Sequence, residues 1–89
     1  MENDYKPKRA ERLIARKEEE SLLIFDSETG DIRVLNETAG LIWNSIDGNR
    51  SIKEIVEVVA KENPDEDEQA IEEDVLQFLE ELQECKFIE

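Results

Sequence analysis

The chain of 89 residues contains no histidine and one cysteine, Cys85. Without histidine, the commonest general base and the commonest metal ligand are both missing. Cys85 therefore has no histidine partner, so we interpret it as a structural residue at a helix end. A single cysteine forms no internal disulfide, which fits a reducing cytoplasm.

Glycine is also scarce, with three residues in the chain, and no glycine-rich phosphate loop is present. The acidic run that begins at Asp65 does not match a calcium-binding loop, because Ala70 stands where the sixth position requires glycine. The numerous paired carboxylates are typical of a solvated helix surface and not of an acid–base pair. We therefore predict a protein that is not an enzyme and has no cofactor and no metal site.

Long apolar runs are absent as well. No stretch approaches the roughly 20 residues that a membrane span requires, and the polar N-terminus lacks the apolar region of a signal peptide. We expect a cytoplasmic protein with no membrane partner.

Basic residues are few: 11 lysines and arginines stand against 25 acidic residues, for a formal net charge of -14. Residues 62–89 contain twelve acidic groups and one basic group, Lys86. Such a surface repels phosphate backbones and favours basic or neutral partners, so we expect no nucleic acid partner. The alternative is that the acidic residues only keep a small domain soluble.

A strand that leads directly into a capped helix is the most informative feature that is present. Asn36 is a good N-cap residue, and the apolar residues that follow it recur on one helical face up to Ile46. Gly48 stands where a left-handed residue can end that helix. A short strand followed tightly by helices is one way to build a groove for an extended peptide.

The remaining pattern predicts an α+β fold that is winged-helix-like, with a three-stranded antiparallel sheet followed by three helices. The strands are predicted over 12–16, 21–25 and 31–35. A second helix begins at the capping box of Ser51 and Glu54 and ends at Asn63, and a third runs from about Asp67 to Glu84. Residues 86–88 form a short final strand or a tail on the core. We place a flexible N-terminal arm at 1–11 and the folded domain at 12–89.

Together these residues resemble the PqqD-like family, the recognition domains of pathways that modify ribosomally made precursor peptides. The similarity spans about residues 12–88. The matching elements are Val34-Leu35-Asn36, Thr38-Ala39-Gly40, Ile42-Trp43, Asp47-Gly48, Ser51-Ile52 with Ile55, Asp74-Val75, Phe78-Leu79, Leu82 and Lys86-Phe87-Ile88. The chain departs from the family at Cys85, where glycine is frequent.

The resemblance implies a module that captures the leader segment of a precursor peptide, as a strand added to the third strand, and presents it to a modifying enzyme. That enzyme could be a radical enzyme, a protease or a cyclase. The implied peptide-binding residues on the third strand are Asp31, Ile32, Arg33, Val34 and Leu35. Those on the third helix are Val75, Phe78, Leu79 and Leu82 as apolar pockets, with Asp74, Gln77 and Glu81 flanking them toward basic leader residues.

Two alternatives stay open at the level of sequence. The four apolar helix residues are also what an ordinary core requires, and one stripe cannot serve a core and a groove equally. The sheet edge could instead pair with a second copy, as a homodimer, or with a larger protein, which would make this chain a structural or regulatory subunit.

Overall fold

The computed structural model describes residues 2–89 and contains a sheet followed by a helical layer. In chain order the elements are β1 (Leu13–Lys17), β2 (Leu22–Asp26), β3 (Ile32–Leu35), α1 (Glu37–Ser45), α2 (Ile52–Glu62) and α3 (Glu68–Glu84). The strands form one antiparallel sheet in the order β1-β2-β3. This architecture confirms the predicted α+β class and is compatible with the winged-helix comparison.

The β2–β3 hairpin turns on Asp26 and Gly30. The Asp26 N–H donates to the Asp31 carbonyl at 2.9 Å, and the Gly30 N–H donates to the Asp26 carbonyl at 2.8 Å. Gly30 has a φ of 81°, which a residue without a Cβ adopts at no steric cost. The Asp26 carboxylate accepts the Glu28 N–H at 2.9 Å, so its side chain and backbone together fix the turn.

Two helices begin at the caps that the sequence predicts. The Asn36 side chain accepts the Ala39 N–H at 2.8 Å, and Ser51 and Glu54 form the complete capping box of α2. The end of α1 differs from the prediction. The helix stops at Ser45, and Gly48, with a φ of 81°, donates its N–H to the Pro7 carbonyl in the loop beyond.

The core lies between the inner face of the sheet and the three helices. Each element buries the side chains of one face or stripe, which is how a small domain forms one apolar cluster. The buried members are Leu22, Ile24, Leu35, Ile42, Trp43, Ile46, Ile52, Ile55, Val56, Val59, Ile71, Val75, Leu79, Leu82, Phe87 and Ile88.

The segment that precedes β1, which sequence reasoning treats as a flexible arm, contacts distant parts of the chain. The Tyr5 carbonyl accepts the Ile52 N–H at 2.9 Å, and Pro7 is buried. The Glu89 N–H donates to the Lys8 carbonyl at 2.8 Å. Residues 3–10 thereby join the start of α2 to the C-terminal residues. Met1 lies outside the described residues.

The C-terminal tail packs on the core and also pairs with this segment. Phe87 and Ile88 are buried, and Ile88 forms an isolated antiparallel bridge with Arg9. Cys85 is the C-cap of α3, and its thiol donates to the Leu82 carbonyl at 3.4 Å. Lys86 then adopts a φ of 63°, in the left-handed region that favours glycine. Cys85 thus lies one residue before this left-handed position.

Candidate functional site

The outer edge of β3 presents unpaired backbone groups. In an antiparallel ladder, residues alternate between those bonded to the neighbouring strand and those whose N–H and C=O face away from it. The bond between Asp26 and Asp31 sets the phase, so Arg33 and Leu35 bond inward to β2. The N–H and C=O of Ile32 and Val34 therefore face the free edge, where an added strand would bond.

The two edges of the sheet differ in their protection. On β1, the consecutive residues Arg16 and Lys17 are both exposed, and long charged side chains discourage edge-to-edge pairing. On β3, the one charged residue is Arg33, which lies on the inner face and is half-buried. The β3 edge is therefore the better template for a second chain.

The predicted residues of β3 divide by face. Asp31, Ile32 and Val34 are exposed, whereas Arg33 is half-buried and Leu35 is buried against the core. Ile32 and Val34 are 61% and 67% exposed, so the apolar pair of this strand faces outward and not inward. Leu35 would therefore support an added strand only indirectly, because its side chain packs on the core and holds β3 in place.

The residues of α3 that the sequence predicts for peptide binding also divide into buried and exposed groups. Val75, Leu79 and Leu82 have no exposed surface and belong to the same buried cluster as Leu35. Phe78 packs against that cluster but remains half-buried. The polar positions Asp74, Gln77 and Glu81 are exposed. Of the four apolar residues, Phe78 alone offers side-chain surface to a ligand in this conformation.

The charge of α3 is of one sign. Its seventeen residues include seven acidic side chains and no lysine or arginine. None of these carboxylates joins an ion pair among residues 2–89, since the five ion pairs there involve Lys8, Arg12, Arg16 and Arg50. The helix surface thus attracts cationic side chains without local competition.

Three carboxyl groups have a lowered pKa, and each serves a turn or a cap. Burial raises the pKa of Asp26, but hydrogen bonds from the Glu28 N–H and from Arg12 outweigh it, so the net shift is downward. Backbone N–H groups in the α1–α2 loop lower the pKa of Asp47. The Ser51 N–H lowers that of Glu54 in the capping box. All three shifts reflect local structure and do not indicate an acid–base pair.

Sequence reasoning missed the apolar outer face of the sheet. Ile14 and Phe25 are 56% and 38% exposed, and Leu23 on the same face is half-buried. The available signal was the run Leu22–Phe25, in which both alternating positions are apolar. A strand that faces water on one side normally alternates apolar and polar residues, so this run departs from that pattern and indicates an apolar outer face.

An open cleft of about 520 Å³ lies between the β1–β2 turn, the start of α1 and the end of α2, lined mainly by polar groups such as Glu20, Asn36 and Asn63. Within residues 2–89, no cluster of three or more potential metal ligands occurs. No helix in that range is both long and apolar enough to cross a bilayer.

Comparisons with known proteins agree on one family. A family model described as Coenzyme PQQ synthesis protein D (PqqD) matches residues 21–88. A protein of Azotobacter vinelandii named PqqA binding protein is 46% identical over 55 residues. That match spans 62% of this chain and 58% of the relative, so this chain covers less than two thirds of the relative's length.

Two solved structures share the fold. One is TbiB1 in complex with the TbiA(beta) leader peptide, at 21% identity and a TM-score of 0.83, over 92% of this chain and 94% of the other. The other is lasso peptide synthetase B1 complexed with the leader peptide, at 15% identity and a TM-score of 0.82, over 94% and 98%. At these identities, the likeness establishes the fold alone.

Proposed function

The chain belongs to the PqqD family, and we propose that it is a non-catalytic module that captures the leader segment of a ribosomally synthesised precursor peptide. The segment adds as a strand to β3, and the module presents the rest of the precursor to a modifying enzyme. The observation that carries the proposal is the unprotected β3 edge, where Ile32 and Val34 turn their backbone groups away from β2. Main-chain hydrogen bonds then supply affinity, and side chains supply specificity.

The relatives support this role. One curated relative is named for binding PqqA, and the two solved structures of this fold are described with a bound leader peptide. We therefore propose a precursor peptide as the partner, together with a peptide-modifying enzyme such as a radical enzyme, a protease or a cyclase. The module itself supplies recognition and no catalytic group.

The charge of α3 indicates the chemistry of the segment. We propose that Asp74 and Glu81 attract lysine or arginine side chains of the leader, with Gln77 as a neutral hydrogen-bonding neighbour. All three are exposed, and Phe78 offers apolar surface on the same helix. Val75, Leu79 and Leu82 then act by supporting that surface from the core and not by direct contact.

Two single proline variants, one on each edge strand, test strand addition. Val34→Pro removes an N–H that faces the β3 edge, and Ala15→Pro removes one that faces the β1 edge, so both spare the bonds to β2. The probes are the A. vinelandii PqqA and the TbiA(beta) leader peptide, titrated into ¹⁵N-labelled chain. We expect amide shifts along residues 31–36 and about tenfold weaker binding for Val34→Pro only.

Either of two results would contradict the proposal. One is binding of a probe that shifts amides elsewhere and leaves residues 31–36 unchanged. The other is equal loss of binding in Val34→Pro and Ala15→Pro, since both edges cannot be the single docking strand. The folded state of each variant is checked beforehand by its amide dispersion.

A second candidate function rests on the same edge. A strand edge with an apolar outer face also suits pairing with another copy or with a larger protein, as a structural subunit. Sedimentation equilibrium without peptide distinguishes the two. A dimer that strengthens with concentration and is lost in Val34→Pro favours the subunit, and a monomer at all concentrations favours the peptide module.

A further inference from the structure

The outer face of the sheet carries two rows of side chains that run across all three strands. The register places Ile14, Phe25 and Ile32 in one row, and Arg16, Leu23 and Val34 in the other. Five of these six side chains are apolar. Among residues 2–89, no helix packs on this face, and the exposed large apolar residues are four of its members: Ile14, Phe25, Ile32 and Val34.

Exposure on this face is greatest at the β3 edge. Ile32 and Val34 are 61% and 67% exposed, against 38% for Phe25 on the central strand. At the opposite edge, the row of Leu23 ends in the charged Arg16. The apolar surface thus reaches the open side of β3 in both rows, whereas on the β1 side it continues only in the row that ends in Ile14.

An added strand would extend both rows by one position. Side chains directly opposite each other on neighbouring strands have Cβ atoms about 5 Å apart, and positions i and i+2 share a face. A strand bonded to Ile32 and Val34 therefore places two of its own side chains, at i and i+2, beside these residues on the outer face. Apolar side chains there would remove both exposed residues from water.

Acidic residues stand beyond this pair at both ends of β3. Asp31 precedes the strand and Glu37 follows it at the start of α1; both are exposed. Neither joins an ion pair in the part of the chain that the structure describes. A complementary strand would therefore carry lysine or arginine outside its apolar pair.

A second copy is a poorer occupant of this face. Stable interfaces bury about 800 Å² per partner over roughly 20 residues a side, whereas this face offers five apolar side chains, of which Leu23 is already half-buried. Face-to-face packing would also bring Arg16 of each copy against an apolar surface. A single strand covers the most exposed part of the face without that cost.

We propose that the outer face of β3 selects the bound segment: two apolar side chains at positions i and i+2 of the added strand pack on Ile32 and Val34, with basic residues outside them. This inference rests on the proposed function and deepens it, because it names a second recognition surface on the side of the strand opposite α3.

Selection from a displayed library of random 15-residue peptides, on the immobilised chain, tests the inference. We expect enriched peptides with an apolar pair at i and i+2 bounded by lysine or arginine. An Ile32→Thr/Val34→Thr double variant keeps strand propensity and should bind these peptides about tenfold more weakly. The matched control is Ile14→Thr, which lies on the same face at 56% exposure but is separated from the peptide by two strands, and it should bind unchanged.

A variant that introduces a positive charge on β3 gives a second test of the inference. Repeating the selection on Val34→Lys should replace the apolar residue at one position of the pair with aspartate or glutamate. Enrichment that stays the same on Val34→Lys, or equal losses in the double variant and in Ile14→Thr, would overturn the inference.

The inference and the proposed function fail in different ways. Enriched peptides that lose binding in Val34→Pro, but show no preference at i and i+2, refute outer-face selection and leave strand addition standing. Peptides whose binding is unaffected by Val34→Pro, or a library with no enriched peptide, refute both.

Discussion

At the residue scale, Asp26 joins three parts of the chain. Its carboxylate is 2% exposed and accepts the Glu28 N–H at 2.9 Å and the Arg12 Nε–H at 3.2 Å. Arg12 in turn donates from Nη2 to the Lys86 carbonyl at 3.0 Å. One buried charge therefore links the hairpin, the start of β1 and the end of α3, and removing it leaves donors without acceptors.

The lowered pKa of Asp26 predicts a loss of stability in acid. A carboxyl group whose pKa is lower in the folded state stabilises the fold above its unfolded value, 3.8, and that contribution disappears as pH falls through the folded pKa. Urea unfolding followed by Trp43 fluorescence, between about pH 7 and about pH 2, measures the effect. Stability should fall below about pH 4.

The variant Asp26→Asn isolates this group from Asp47 and Glu54, whose pKa values are also lowered. It should be less stable than the natural chain at neutral pH and lose less stability on acidification. An unchanged pH profile in Asp26→Asn would assign the acid sensitivity to the other two carboxyls.

At the element scale, the capping box of α2 makes a measurable contribution. Ser51 Oγ accepts the Glu54 N–H at 3.2 Å, and Glu54 Oε1 accepts the Ser51 N–H at 3.0 Å. Ser51→Ala should cost about 1 kcal/mol of unfolding free energy, measured by urea denaturation. Glu54→Gln retains an acceptor for the Ser51 N–H and should cost less; a larger loss there would contradict the hydrogen-bond account.

Local patterns explain why the helix starts could be predicted from the sequence. Asn36 and Ser51 act on N–H groups within three residues, so the relevant partners stand beside them in the chain. The bounds of β1 and β2 and the start of β3 lie one residue beyond the predicted positions, because pairing across β2, and not local propensity, sets them. The end of α1 was misplaced because Gly48 bonds to Pro7, 41 positions earlier.

The candidate site was less accessible to sequence reasoning. The third-helix stripe was visible, but its division between core and surface depends on packing, which buries Leu79 and leaves Phe78 half-buried. The alternation of β3 was also visible, yet it did not reveal that Ile32 and Val34 face outward. That orientation follows from which face of the sheet the helices cover, a property of the assembled domain.

At the scale of the whole molecule, the net charge of -14 opposes the compact state. Screening should therefore stabilise the chain, and its Tm should rise as NaCl is increased toward about 1 M, where the Debye length is about 3 Å. Replacing exposed Glu73 and Glu80 with lysine should raise the Tm at low salt and flatten this dependence. A Tm that falls with NaCl would show that attractive pairs dominate.

The same salt should weaken binding of the proposed basic leader segment, because the proposed attraction to α3 would be screened over the same distance. Stability and leader affinity are thus expected to respond to salt in opposite directions. This opposition would separate the two effects assigned to the acidic surface, which are lower stability of the fold and the proposed attraction of a partner.

The bridge between Arg9 and Ile88 has a consequence for biosynthesis on the ribosome. The sheet is translated first, but its inner face packs in a cluster to which α2 and α3 also contribute, and Phe87 and Ile88 complete that cluster. A nascent chain that has emerged only as far as α1 lacks the members of that cluster from α2, α3 and the C-terminal tail, and its open β3 edge is already exposed. During that interval the sheet is most vulnerable to mispairing with neighbouring nascent chains, and the domain closes only after residue 88 is made.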